Sequence, residues 1–132
     1  TLAAANSLIE KVRQEAARMG LSVVVAVADE SGRPVSVQSM DGAYIASFDI
    51  ALNKSFTSAS LKMSTKKLGT LSQPGESLYG IQFTNRGKIV IFGGGETLEV
   101  DGRIVGAIGV SGGSADEDTH LAAYGKECFE RR

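Results

Sequence analysis

Few side chains in these 132 residues are equipped for chemistry, and their scarcity narrows the choices. His120 is the only histidine and Cys128 the only cysteine. A Ser–His–Asp or Cys–His device therefore has to run through His120. One cysteine makes no internal disulfide, and no Cys/His cluster exists for a structural zinc site. Cys128 reads as a small core residue, and the lack of a disulfide fits a reducing compartment, the cytoplasm. His120 is also the only ordinary nitrogen ligand for a haem iron. Its place one turn before Tyr124, beside the Leu121, Gly125 and Cys128 stripe, predicts a partly exposed ring. Tyr44, Tyr79 and Met40 are the other side chains able to ligate or stack.

Asp29 and Asp41 are the carboxylates placed at the ends of elements. Asp29 fits the turn before Gly32, and Asp41 fits the cap of a helix beginning near Ala43. They become an acid–base pair only if the fold brings them together. Lys54 falls among small residues, with Ala51 and Ser58 on its own stripe. It can reach past them to hold a carboxylate, pair with Asp49 or Asp29, or extend into solvent. Gly93, Gly94 and Gly95 form one glycine corner, and Ser111, Gly112 and Gly113 another, just before Ser114. Successive N–H groups in such turns, next to a helix start, suit a carboxylate or phosphate. The competing reading is that these glycines only turn corners. No Gly-Lys-Ser/Thr ending follows, so neither is a Walker loop.

The elements that must position these groups are legible from periodicity. Leu2, Ala5, Ile9, Val12, Ala16 and Met19 mark an amphipathic helix that Gly20 ends. Leu21–Asp29 and Val35–Ser39 flank a Gly/Pro turn and read as a hairpin, the first strand apolar enough for the middle of a sheet. The next helix carries two stripes, Ile45, Phe48, Leu52, Phe56 and Ala59 on one, Ser47, Ala51, Lys54 and Ser58 on the other. Ser64 starts a short helix through Leu68. Lys88–Phe92, Glu96–Val100 and Ile104–Val110 read as three strands, the last two joined at Asp101-Gly102. Gly106 and Gly109 within the last strand suggest a bulge or a close backbone approach. Ser114 and Glu117 make a capping box for a final helix. The order is helix, two strands, two helices, three strands, helix. It predicts an α+β fold in one domain over 1–132, with a five-stranded, mainly antiparallel sheet flanked by helices in a profilin-like arrangement.

Composition removes whole classes of function. Net charge is −1, and Lys66–Lys67 and Arg131–Arg132 are the only basic doublets, so a nucleic-acid partner is not expected. No apolar run approaches the roughly 18 residues of a membrane span. The chain opens on Thr1 without a signal pattern, which leaves room for a removed upstream segment.

Several short motifs resemble one family. They are Val27-Ala-Asp29 with Gly32, Met40-Asp-Gly42, Asn53-Lys54, Gln73-Pro-Gly75 and Ile91-Phe-Gly-Gly-Gly95. The run from Val105 to Gly113 completes them, with Asp116 and Asp118 just after. Taken in order, the set resembles the GlcG/HbpS family, whose domain is also similar to the C-terminal part of PduO proteins. That resemblance implies dimer-based homo-oligomers, up to tetramers or octamers, and haem or tetrapyrrole binding in some members. It also implies roles beside glycolate, diol and cobalamin metabolism. Three readings follow. The first is a small-molecule or tetrapyrrole-binding accessory protein whose pocket uses Lys54 and the two glycine loops. The second is a lyase or isomerase acting on a small carboxylate or carbonyl compound, with Lys54 as anchor and Asp29 or Asp41 as base. The third is a structural partner of a diol- or cobalamin-processing enzyme.

Overall fold

The computed structural model describes residues 1–131, so Arg132 of the second basic doublet lies outside it. Helix α1 spans Leu2–Arg18, capped by the Thr1 hydroxyl, which accepts from the Ala4 N–H. Gly20 then takes a φ of +76° and turns the chain into the sheet. Strands β1 (Val24–Asp29) and β2 (Pro34–Ser39) form the expected hairpin. Helices α2 (Ile45–Leu61) and α3 (Thr65–Leu71) follow, then two short 3₁₀ turns, Ile81–Phe83 and Asn85–Gly87. Strands β3 (Gly95–Val100) and β4 (Arg103–Ser111) are joined at Asp101-Gly102, both at positive φ, and α4 runs over Ala115–Glu130.

The sheet order is β2-β1-β4-β3, antiparallel throughout, which puts the apolar β1 inside. Alternation along β1 and β4 sends Val25, Val27, Ile108 and Val110 towards α1 and α4, where they meet Leu8, Ile9, Val12 and Leu121. Val24 and Ala26 face the other way, onto Ala51 of α2. Helices therefore cover both faces of one sheet. No helix among the described residues is long and apolar enough to cross a membrane.

Among the described residues the expected five strands are four. Lys88 closes the second 3₁₀ turn in a helical conformation, Ile89–Ile91 belong to no regular element, and Ile89 and Val90 are buried against helices instead of on a strand edge. The Val90 N–H donates to the Thr57 hydroxyl at 3.0 Å, and that hydroxyl donates to the Lys88 carbonyl at 3.2 Å. A Cβ on Gly69 of α3 would run into the Ile91 carbonyl. An apolar run announces burial, not the partner that buries it.

One further expectation is corrected at the start of α2. Its N-cap is Tyr44, with no side-chain hydrogen bond, so Asp41 does not cap it. The Ala43 N–H closes a turn onto the Met40 carbonyl, and Gly42 has a φ of +85°. That turn leaves Asp41 exposed and too far from the helix, since only the residue at the cap position reaches the first-turn amides. Of its two stripes the helix faces the small one inward. Ser47, Ala51, Lys54 and Ser58 are buried, whereas Ile45 is 96% exposed and Phe48 44%.

Candidate functional site

Small residues on α2 let the helix lie close on the sheet. Gly109 of β4 is where this matters most, because a Cβ there would strike the Ala51 carbonyl and come within 2.7 Å of the Ser55 nitrogen. At that close approach Lys54, the one long side chain on the stripe, is fully buried. It runs past the start of β3 to the far side of the sheet. Its Nζ donates to the Val110 carbonyl at 2.7 Å and to Asp118 Oδ2 at 3.2 Å. Gly94, at a φ of +125°, leaves it room, since a Cβ there would sit 2.5 Å from the ammonium. The Phe92 ring covers the same group, 5.2 Å from nitrogen to ring centre.

Asp118 is the counterpart. It sits in the first turn of α4 and is itself buried. Its carboxylate accepts from the Gly113 N–H at 2.9 Å and from Gly112 at 3.4 Å. The Ser114 N–H donates to Glu117 Oε1 at 2.8 Å, half of the capping box that the sequence predicts. The Ser-Gly-Gly loop is thus an anion-binding turn whose anion is already present in the chain. Burial lowers the Lys54 ammonium from its usual value, and Asp118 opposes the shift. Burial likewise raises Asp118, against the pull of Lys54 and the two loop amides. The charged pair is held by geometry despite its desolvation.

Above this pair a surface pocket of about 290 Å³ opens between the start of α2 and the Ser-Gly-Gly loop. Ser47, Ser111 and Asp118 supply its polar wall; Tyr44, Ile50 and Phe92 supply the apolar one. The glycine corner Gly93–Gly95 lies behind it, buried, where its missing side chains admit Thr119, Lys54 and Thr65.

The remaining candidates lie elsewhere. Asp29 accepts from the Ser31 and Arg33 N–H groups, the turn role expected of it. It pairs with Gly106, four residues from Val110 along β4, so about 13 Å separates it from the Lys54 ammonium. Asp41 follows the β2 end that pairs with Val24, which puts it about 17 Å from Asp29. The two carboxylates form no acid–base pair. His120 is two residues from Asp118, roughly 200° around α4, and so points away from the pocket. Its ring is 55% exposed, with Nε2 3.5 Å from Glu15 Oε2 of α1. Met40 turns inward, its sulfur accepting from the Val23 N–H, and Tyr79 is exposed. Cys128 packs against the core, half-buried.

Asp118 and Phe92 are the members that the sequence reading does not assign to the site. Asp118 carries a usable signal: two glycine amides followed five residues on by an acid in a helical first turn need an acceptor, and Asp118 is within reach. Phe92 carries none, because its role depends on where the Ile89–Phe92 segment is laid.

This arrangement has counterparts in known proteins. A protein encoded between dhaT and dhaS in Citrobacter freundii, of 15.0 kDa, is 43% identical over 98% of this chain and 91% of its own length. The corrinoid adenosyltransferase PduO of Salmonella typhimurium is 36% identical over 89% of this chain, which spans only 35% of that enzyme. A crystal structure of a PduOC–haem complex superposes with a TM-score of 0.91 at 32% identity, over 96% of this chain and 91% of that one. The family model described as haem degrading protein HbpS-like matches residues 1–127. The chain belongs to the HbpS-like family.

Proposed function

We propose that this protein binds a tetrapyrrole, haem, as a homo-oligomeric accessory protein of glycolate, diol or cobalamin-linked metabolism. One observation carries the proposal. Tyr44 and Phe92 expose apolar surface on the wall of the 290 Å³ pocket, and Ile45 and Phe48 expose more in the adjoining first turn of α2. Exposed apolar side chains grouped at one end of a helix, Ile45 among them at 96% exposure, mark a surface that a partner or ligand covers. The haem complex of a relative at 32% identity and the corrinoid enzyme that contains a similar domain point the same way.

The residues fit part of what a haem requires. Tyr44, exposed at the rim, offers a phenol oxygen of the kind that ligates haem iron, and Phe92 and Ile50 offer apolar contact. The pocket is at the bottom of the usual range of about 300–1,000 Å³, so one copy covers an edge of the macrocycle. A second copy laid on the α2 stripe completes the slot. When bound, haem supplies an iron centre for electron or gas chemistry. The chain supplies the walls, which the Lys54–Asp118 pair holds in place. Lys54 is spent on that pair and does not reach a ligand carboxylate.

Titration with hemin tests the proposal. A saturable Soret shift is expected, retained in His120→Ala and weakened in Tyr44→Phe and Phe92→Ala. Absence of a saturable shift in the folded protein would sink it.

A further inference from the structure

A second pocket, of about 380 Å³, lies along the middle of α2 on the side of Leu52 and Phe56. Leu52 and Phe56 form its apolar floor, Asn53 and Asp49 stand on the same helix, and Arg86 and Lys88 close it from the loop before Ile89. We propose that this pocket binds an organic anion, a carboxylate on a flat apolar body, with Arg86 and Lys88 holding the carboxylate and Phe56 the body.

Three features support this. Arg86 and Lys88 have no ion-pair partner among the described residues, although both line a concave site. Lys88 Nζ stands 5.7 Å from the centre of the Phe56 ring, so one cation is already poised beside the aromatic floor.

The loop is also built to aim them. Asn85 and Arg86 have φ values of 52° and 59°, and Gly87 follows at 75°. Two side-chain-bearing residues in succession in the left-handed region are costly, and such strain concentrates where a side chain has to be presented. Thr57 anchors the loop's exit through the Lys88 carbonyl and the Val90 N–H. On the opposite wall Gly32 admits the Phe56 ring, which a Cβ there would meet at 3.1 Å.

Asp49 lines the same pocket and opposes an anion. That gives the proposal a signature of two signs. The probe is 2-naphthoate, with 2-naphthalenemethanol as its neutral counterpart, followed by calorimetry and fluorescence. Naphthoate is expected to bind saturably at one site per chain and more weakly as salt is raised, and the alcohol is not. Arg86→Asn, which tolerates the left-handed backbone, and Lys88→Met should each weaken binding about five-fold, the upper end for an exposed ion pair. Asp49→Asn should tighten it. No saturable naphthoate binding, or equal binding of the alcohol, overturns the proposal. So does unchanged affinity in both cation variants with unchanged circular dichroism.

The inference stands apart from haem binding, since naphthoate is measured without hemin. Hemin that displaces naphthoate assigns the pocket to the carboxylate edge of a tetrapyrrole. Hemin that binds without displacing it assigns the pocket to a separate small carboxylate.

Discussion

Replacing Lys54 by Met keeps the length of the buried side chain and removes its charge. Asp118 then stays buried, with the Gly112 and Gly113 amides but without its cation. Breaking one side of a buried pair costs about 3–5 kcal/mol. The low end applies here, because the two amides still hold the carboxylate and protonation offers relief. About 3 kcal/mol corresponds to a fall of roughly 12 °C in Tm for a domain of this size. Asp118→Asn should cost a similar amount, leaving Lys54 only the Val110 carbonyl at 2.7 Å. The double variant should cost about 1 kcal/mol, since a neutral pair in place of a buried ionic one is often nearly neutral.

A pH series sharpens the comparison. Burial raises the folded Asp118 above its ordinary 3.8, and in Lys54→Met the main opposing charge is gone. The folded state then binds more protons than the unfolded one above about pH 4, so the variant loses stability as pH rises through the raised value. Its deficit should shrink as pH falls towards 4. Urea unfolding of the four proteins at several pH values measures all of this. Single variants that cost less than about 1 kcal/mol, or two penalties that simply add in the double variant, would show that Lys54 and Asp118 are not a coupled buried pair.

Three further predictions concern packing, titration and assembly. Gly109→Ala drives a methyl into the Ala51 carbonyl and the Ser55 nitrogen, so urea unfolding should show a loss of about 1–3 kcal/mol or more; a neutral result contradicts the close approach. Glu15 is held at a pKa of about 2, mainly by its hydrogen bond to Arg18, with His120 adding to it. Its contribution to stability is therefore present above pH 4.5 and lost as pH falls through about 2, and carboxyl-carbon NMR titrating near 4.5 would count against the pairing. Ile45→Glu with Phe48→Glu should shift the protein to monomer by size-exclusion chromatography, weakening association at least about 30-fold as hot-spot residues do.

Most of the scaffold is readable from the chain because local rules and tertiary packing agree there. Gly20 ends α1, Asp101-Gly102 turns the β3–β4 hairpin, and the Ser114–Glu117 box starts α4. Gly106 and Gly109 are also informative: the register shifts opposite Gly106, and Gly109 takes the close helix. The failures share a cause, which is that a partner has to be known. Ile89 and Val90 are apolar enough for a strand, yet Thr57 on α2 meets their backbone. Which stripe of α2 meets the sheet also depends on the partner: the small one fits against Gly109, and Ile45 and Phe48 of the larger one are left exposed. Lys54 is legible as unusual among small neighbours. That its partner is Asp118, 64 residues away, depends on the whole fold.

In the proposed complex, haem is held between copies of this chain at the exposed end of α2. Sedimentation velocity recorded at the Soret wavelength, with hemin below one per chain, tests both halves together. Soret absorbance is expected to move as one boundary, faster than a monomer, and to return to free hemin in the Ile45→Glu/Phe48→Glu variant. Soret absorbance that sediments with a monomer, or that never joins the protein boundary, would contradict it.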